Sequence, residues 1–369
     1  MITEITKIIE GGLARDSRKV ATYARALLES LDPLKDRALV TRIKGLLAKN
    51  QNGMVSLDSL SSRPVDAESR MDILQLCNPT VSESDLVLDG YVVEVIDRFV
   101  SLYRRREDLL REGLTTSSKL LLYGQPGCGK TSVARVIASR IGIPLVTAQL
   151  DGLVSSFLGS TAKNIRKIFD FASRQPCVLF LDEFDVVAKM RDDANELGEL
   201  KRVVNSLIQN IDDFNEDSVL IAATNHHEML DKAIWRRFAC ALELLPPKQT
   251  TIAMLIKKVL DGRKTDFEDD LKIVRISSAL EGLSHSDITT IILNAVKASV
   301  LSGKGYVSSC ELLKESYLFR NHVIAKDEEL VGYLLTQGMS HRKINGELSI
   351  PLRMIQRVSR TLHSGGKEI

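Results

Sequence analysis

The feature that most constrains how this chain folds is the stretch KLLLYGQPGCGKT at residues 119–131. It begins with an apolar run, which predicts a buried strand, and ends with a glycine-rich turn that meets the pattern G-x-x-x-x-G-K-[ST]. Residues 132–140, which follow the turn, have helical character. A strand, a tight turn and a helix in this order predict an α/β fold.

The residue types in the turn predict a site for phosphate groups. Small residues let consecutive backbone N–H groups turn inward around phosphates, and the following helix adds the positive end of its dipole. Lys130 would reach the β- and γ-phosphates, and the Thr131 hydroxyl would hold Mg²⁺. The alternative, a glycine turn that matches by chance, is disfavoured by the strand before it and the helix after it. The predicted nucleotide-binding residues are Gly124, Gln125, Pro126, Gly127, Cys128, Gly129, Lys130, Thr131, Ser132 and Asp182.

Further strands are predicted in a pattern that alternates with helical sequence. They lie at 143–150, 176–185, 218–225 and 241–246. Such alternation is typical of a parallel sheet with helices on both faces, in which ligands bind at the carboxyl ends of the strands. Polar residues follow two of the apolar runs at these ends.

These strand-end residues complete the predicted site. Asp182 would bind Mg²⁺ through water, and Glu183 would polarise the water that attacks the γ-phosphate. Asn225 is placed to hydrogen-bond the same water or the γ-phosphate, although asparagine after a strand is also common turn chemistry. The residues alone therefore predict a nucleoside triphosphate and Mg²⁺ as ligands.

The composition indicates a soluble globular protein. Its 369 residues carry 50 Lys and Arg against 48 Asp and Glu, so no global charge marks a binder of nucleic acid or membranes. The five cysteines lie far apart, without a CxxC pair, and no long apolar run predicts a membrane span. We expect a cytoplasmic enzyme without membrane contact.

Periodicity and a polar stretch divide the chain into segments. The predicted segments are a helical bundle at 1–49, a linker at 50–84, an α/β domain at 85–249, a small helical domain at 250–324 and a tail at 325–369. The bundle is either a packing appendage or an adaptor for a partner or substrate. One short helix is predicted in the linker at 71–76, and one long amphipathic helix at 91–114.

Motifs along most of the chain resemble those of the AAA+ ATPases, and within them the classical AAA clade. In order they are GQPGCGKT, FLGSTAKNIRKIFDFA, VLFLDEFD, ELKRVVNSLIQNID, VLIAATN, LDKAIWRRF and GLSHSDITTIILNAV. The resemblance implies an αβα P-loop core with a parallel sheet, a small helical lid, and ATP as the nucleotide. It also implies a homo-oligomeric ring, usually a hexamer, with ATP at the subunit boundaries. At GLSHSD the chain departs from the family pattern, since His285 and Ser286 replace small residues.

The resemblance also assigns roles to residues outside the phosphate loop. Arg236 and Arg237 match arginines that reach the γ-phosphate held by a neighbouring subunit. Phe157, Leu158 and Gly159 match the loop with which the family grips an extended polypeptide in the central pore. The simpler interpretations are two surface arginines in a loop and a core phenylalanine before a helix.

The tail reads as three short helices with turns at Gly338 and Ser349, which resembles a helix-turn-helix. Arg353, Arg357 and Arg360 recur along the last helix and would meet DNA phosphates through residues 338–360. The alternative is a docking module with a solvated basic face.

We therefore expect a ring-forming ATPase that remodels or threads a protein substrate chosen by the N-terminal helices. The layout is similar to small ATPases that operate beside a subtilisin-like protease, which would be a partner. The competing hypothesis is a DNA-associated ATPase switch that docks on duplex through its tail. A protein that binds ATP without hydrolysing it is disfavoured by Glu183, Asn225 and Arg237.

Overall fold

The computed structural model of the chain describes residues 73–77, 86–114, 117–150, 158–185, 199–214, 218–230, 232–267, 269–321 and 326–365, with isolated positions between 5 and 43. The chain divides into two compact units, Met1–Leu60 and Ser61–Ile369. In the first unit the described positions are helical apart from Leu31, and Leu27 and Leu31 are buried. The bundle predicted for 1–49 stays a prediction.

A six-stranded sheet forms the centre of the second unit. Its strands are β1 (Gln75–Cys77), β2 (Lys119–Tyr123), β3 (Leu145–Gln149), β4 (Val178–Asp182), β5 (Val219–Thr224) and β6 (Cys240–Glu243). They lie in the order β1-β3-β4-β5-β2-β6, and every pair from β3 to β6 is parallel. The predicted α/β fold with a parallel sheet is confirmed.

The position of β5 between β4 and β2 decides where the polar strand ends meet. Leu121 in β2 lies opposite Ala222 in β5, and Leu181 in β4 lies opposite the same alanine. Because the three strands run in the same direction, the loops that follow them emerge side by side at one edge of the sheet. Their continuous apolar runs follow from burial on both faces of a covered parallel sheet.

Helices connect these strands and continue beyond the sheet. They are α1 (Gly90–Arg104), α2 (Arg106–Arg111), α3 (Lys130–Ile141), α4 (Leu158–Ser173), α5 (Glu199–Asp212), α6 (Lys232–Trp235), α7 (Gln249–Val259), α8 (Asp270–Ala279), α9 (His285–Ser302), α10 (Ser309–Asn321), α11 (Asp327–Thr336), α12 (His341–Leu348) and α13 (Leu352–Gly365). In the described part of the chain, no helix is both long enough and apolar enough to cross a membrane.

The helix predicted at 71–76 is wrong, because the described part of this segment contains a strand. Residues of β1 pair antiparallel with β3, with Leu76 opposite Val146 and Cys77 opposite Leu145. Leu74, just before the strand, is buried, whereas Gln75 and Cys77 are exposed, as expected for an edge strand with one covered side. The sequence of a short apolar segment is compatible with either a helix or a strand. Here the segment forms a strand because it pairs with the edge of β3.

The single helix predicted at 91–114 is also wrong, since it divides at Arg105 into α1 and α2. The backbone of Arg105 leaves the helical region, with φ −98° and ψ 13°. Helix α1 is held by buried side chains up to Tyr103, whereas α2 buries none of its residues. The break therefore falls where packing against the sheet ends.

Separate apolar clusters hold the sheet and the helices that follow it. Helices α1 and α3 pack on side chains from β2, β4 and β5, among them Leu122, Phe180 and Ile221. Helices α7, α8 and α9 pack around a second cluster that includes Ile256, Ile276 and Ile292. We call α7 to α10 the lid helices.

The last three helices pack on the lid rather than standing alone. Their cluster contains Ile344, Ile350 and Ile355, and it includes Cys310 and Leu313 from α10. The boundaries predicted at 249/250 and 324/325 stay predictions.

Candidate functional site

The phosphate loop lies between β2 and α3, and two of its glycines, Gly124 and Gly127, are required by close contacts. Gly124 has φ +135°, and a Cβ atom there would lie 2.2 Å from the carbonyl oxygen of Leu244. Gly127 has φ +77°, and a Cβ atom there would lie 2.4 Å from Ser284 Oγ. The first glycine lets the loop pass the residue after β6, and the second lets it approach the lid.

Lys130, the first residue of α3, turns its ammonium group back into the loop. Its Nζ donates hydrogen bonds to the carbonyl oxygens of Gly124, at 2.7 Å, and Gln125, at 3.0 Å. Burial lowers the pKa of Lys130, and the nearby Cys128, Asp182 and Asp185 oppose that shift. The loop thus encloses a cation whose present partners are neutral carbonyls, which anionic phosphate oxygens can replace.

The Thr131 hydroxyl and the Asp182 carboxylate come together across the sheet edge. Thr131 Oγ1 donates to Asp182 Oδ2 at 3.3 Å, which joins the start of α3 to the end of β4. Both offer hard oxygen ligands, and Mg²⁺ is usually held by one or two protein oxygens with phosphates and waters completing its shell. Among the described residues no group of three His, Cys, Asp or Glu side chains is placed to hold a metal. This pair fits Mg²⁺ bound together with a nucleotide.

Glu183 follows β4 in a conformation that non-glycine residues rarely adopt. Its φ is +56°, and its backbone N–H donates to Asp182 Oδ1 at 3.0 Å. The next residue, Phe184, is fully buried, and its N–H donates to the carbonyl of Ala223 in β5 at 2.8 Å. These contacts hold the strained turn, and the Glu183 side chain is exposed.

Asn225 lies at the end of β5, beside this turn. The preceding residue, Thr224, donates from its hydroxyl to Asp185 Oδ1 at 3.4 Å and accepts from the N–H of His226 at 3.0 Å. The ends of β4 and β5 are therefore tied together, and half-buried Asn225 lies at the same edge of the sheet as Glu183.

Arg236 and Arg237 follow α6. Arg237 pairs with Asp212 at the end of α5, with Nε 2.9 Å from Oδ1, and Arg236 is exposed. In the described part of the chain, neither arginine has a hydrogen bond or ion pair to residues 124–131.

The residues predicted to grip substrate are only partly described. Phe157 lies outside the described residues, whereas Leu158 and Gly159 form the first turn of α4.

The lid closes over the loop through the first turn of α9. The N–H of Ser286 donates to the carbonyl of Gly127 at 3.2 Å. Ser284 caps α9 by accepting from the N–H of Asp287 at 3.2 Å, and the Asp287 carboxylate accepts from the N–H of Ser284. Burial lowers the pKa of His285 in this turn, and Asp89 opposes the shift.

Some residues around the loop escaped the sequence analysis. Buried Asp89 accepts from the hydroxyl of Thr251 in α7, and the Tyr91 hydroxyl donates to the carbonyl of Glu243 at 3.0 Å. These contacts join Asp89, just before α1, to the lid, and Tyr91, in the first turn of α1, to β6. The S-x-x-D spacing of Ser284 signals a helix cap, but no local signal marks Asp89.

Comparisons with known proteins agree with this geometry. The family described as "ATPase family associated with various cellular activities (AAA)" matches residues 120–244. The Sinorhizobium fredii protein named "Uncharacterized AAA family ATPase y4kL" is 42% identical over 308 residues, which cover 82% of this chain and 91% of the relative.

More distant relatives have a named role. A proteasome-activating nucleotidase of Saccharolobus islandicus is 28% identical over 275 residues, or 72% of this chain and 69% of that protein. Proteasome-activating nucleotidase 2 of Haloferax volcanii is 30% identical over 271 residues, or 70% of this chain and 64% of that protein. The crystal structure of the FIGL-1 AAA domain superposes with a TM-score of 0.56 at 20% identity, covering 72% of this chain and 91% of that domain, which shows the fold alone.

Proposed function

The chain belongs to the AAA family and is an ATPase, and from that premise we propose that it forms a homo-oligomeric ring, hexameric as in its family, that remodels or threads a protein substrate. The relatives named proteasome-activating nucleotidases support a protein substrate. A subtilisin-like protease is the partner we propose for the threaded product.

In this proposal residues 124–132 bind ATP, and Lys130 carries most of the charge recognition. Its Nζ would exchange the carbonyls of Gly124 and Gln125 for β- and γ-phosphate oxygens of the bound nucleotide. Thr131 and Asp182 would hold Mg²⁺, which would neutralise charge on the phosphates.

Glu183 acts as the base that orients and polarises the attacking water. The turn at φ +56° places its carboxylate at the exposed edge of the sheet, and the buried Phe184 keeps that turn from relaxing. Asn225, at the end of the adjacent strand, hydrogen-bonds the same water or the γ-phosphate. The single observation that carries the proposal is the convergence of Lys130, the Thr131–Asp182 pair and strained Glu183 at one sheet edge.

Arg236 and Arg237 complete the site of a neighbouring subunit. In the described part of the chain neither has a hydrogen bond or ion pair to its own loop, and the Arg237–Asp212 pair is partly exposed, so it costs little to break. Transfer of these arginines to a neighbour's γ-phosphate would stabilise the charge of the transition state.

Phe157, Leu158 and Gly159 are proposed to contact the substrate in the ring's pore. An aromatic ring offers contact that does not depend on the side chains of the substrate. Glycine at 159, in the first turn of α4, would let the backbone next to Phe157 change its conformation.

The experiment that tests the catalytic assignment is the variant Glu183→Gln. We expect ATP turnover to fall roughly 10²- to 10⁴-fold, as for loss of a general base, while ATP stays bound and the oligomer becomes more stable. Glu107→Gln, which removes the same charge from exposed α2, is the matched control and should turn over ATP normally. Undiminished turnover by Glu183→Gln would remove Glu183 from this role.

The same variant tests the substrate class. Affinity-tagged Glu183→Gln, with ATP and with nuclease added, should retain proteins that the double variant Glu183→Gln, Phe157→Ala loses. Equal retention by both variants would exclude Phe157 as the gripping residue, and retention that depends on nucleic acid would contradict a protein substrate.

A further inference from the structure

The last three helices are joined by short turns. Helices α12 and α13 are joined by three residues, 349–351, the spacing typical of a helix-turn-helix. Ser349 adopts φ +57°, and Asn345 Nδ2 donates to the carbonyl of Ile350 at 2.8 Å. Ser340 caps α12 by accepting from the N–H of Lys343 at 3.3 Å. The angle between the two helices is thus set by specific contacts.

Helix α13 has one apolar face and one basic face. The apolar face packs into the tail cluster through Met354, Ile355 and Val358. The opposite face lines an open groove, and its residues are Arg353, Gln356, Arg357, Arg360 and Thr361. They follow the spacing i, i+3, i+4, i+7 and i+8, which places them along one side of the helix.

The charge of this basic face is concentrated on α13. Helix α13 contains no Asp or Glu. Arg357 pairs with Glu328 of α11, but both side chains are more than half exposed, so the pair contributes little. Glu347 of α12 is occupied on the lid side, where it accepts from Lys304 at 2.6 Å and from Tyr306 at 2.7 Å. Arg353, Arg357 and Arg360 are exposed to solvent.

The last three helices are anchored to the lid through α12, whereas the basic face of α13 is exposed. Lys343 of α12 donates to Ser309 Oγ at 2.6 Å and pairs with Asp266 Oδ2 at 2.7 Å, which anchors α12 to the lid. Helix α13 packs on α11 and α12. The anchor leaves the basic face of α13 open.

We propose that this basic face binds duplex DNA, with α13 in the major groove. Arg353 and Gln356, near the start of the helix, reach base edges, and Arg357 and Arg360 contact phosphates. Arginine and glutamine form the two-point hydrogen bonds that distinguish guanine and adenine in that groove. A helix of 14 residues is about 21 Å long, enough to follow the groove for several base pairs. This inference does not depend on the proposed protein substrate.

The test measures binding of the full-length protein, with ADP, to a labelled duplex of random sequence by fluorescence anisotropy across a range of salt. We compare two double variants. One combines Arg353→Gln with Arg360→Gln, and the control combines Arg263→Gln with Lys264→Gln, which removes two exposed positive charges from the lid. Each lost phosphate contact lowers the slope of log K against log salt by about 0.9. We expect the α13 double variant to bind about 10-fold or more weakly, the control to bind like wild type, and both to keep ATPase activity.

Three results would overturn the proposal. The first is the absence of duplex binding by the wild-type protein at low salt, and the second is an equal loss of binding in both double variants. The third is displacement of the duplex by poly-glutamate at equal charge concentration, because the face would then suit an acidic protein segment rather than DNA. Repeated selection from the pool of random duplexes gives a further test. If the wild-type protein enriches a particular DNA sequence and Arg353→Gln does not, Arg353 contacts the bases.

Discussion

Substitution of Gly127 by alanine tests whether the lid rests on the phosphate loop as the structure shows. Two costs add. At φ +77° a non-glycine residue loses about 1–2 kcal/mol to backbone strain. The new Cβ would also lie 2.4 Å from Ser284 Oγ, and Ser284 cannot move without giving up the cap of α9, worth about 0.5–2 kcal/mol. We expect Gly127→Ala to lower the free energy of unfolding by about 1.5–4 kcal/mol.

Gly129→Ala is the matched control. Gly129 has φ +95°, but nothing lies within 4 Å of a Cβ atom there, so only the strain of about 1–2 kcal/mol applies. The difference between the two variants isolates the contact with the lid. Replacing Ser284 by glycine in the Gly127→Ala background should recover most of that difference, because glycine still tolerates the cap position and removes the blocking hydroxyl.

The assay is urea unfolding of the nucleotide-free protein, followed by the fluorescence of Trp235, the single tryptophan. Its ring contacts Tyr123 at the start of the loop, with centroids 5.2 Å apart. Equal destabilisation by Gly127→Ala and Gly129→Ala, or no rescue by Ser284→Gly, would refute the contact between lid and loop. Hydrogen exchange of the first turn of α9 would show the same loss locally.

Two further predictions concern the site that we propose is shared between subunits, and the lid. We expect Lys130→Ala and Arg237→Ala subunits to be inactive alone and to regain part of the ATPase activity when mixed. Some interfaces of the mixed ring would combine an intact phosphate loop with an intact Arg237. No recovery of activity would contradict the action of Arg237 between subunits. Burial lowers the pKa of His285 below 6.5 in the folded protein, so its contribution to stability is complete above about pH 6.5 and is lost as the pH falls from there towards the folded pKa. The free energy of unfolding, measured from pH 8 to pH 5, should therefore depend less on pH in His285→Gln than in the wild type. Asp89, the charged neighbour that opposes the pKa shift, is present in both proteins. Identical pH profiles of the two proteins would contradict this prediction.

Where the sequence analysis succeeded, the signal was local. The run LLL and the glycine turn predicted β2, the loop and α3, because a buried parallel strand and a phosphate-binding turn each leave a short, dense pattern. The acidic pair after VLFL predicted where β4 ends. Membership in the AAA family is confirmed by the comparisons.

Where it failed, the deciding contact came from elsewhere in the chain. Gln75–Cys77 form a strand because they pair with the edge of β3. Helix α1 ends at Arg104, directly after Tyr103, its last buried residue. Asp89 and Tyr91 matter only because the fold brings Thr251 and Glu243 to them across more than 150 positions. Such pairings carry no periodicity, so a single sequence does not reveal them.

The sequence by itself predicted the chemistry that we propose for this protein: which residues would hold phosphate, which acids follow the strands, and which helix carries the basic face. These depend on residue types at fixed spacing, which one short segment can encode. Only the tertiary structure decided that Thr131 meets Asp182, that Glu183 is held in a strained turn, and that Gly127 supports the lid through Ser286. The reason is physical, since each of these contacts joins segments whose approach is set by packing of the whole core rather than by local preference.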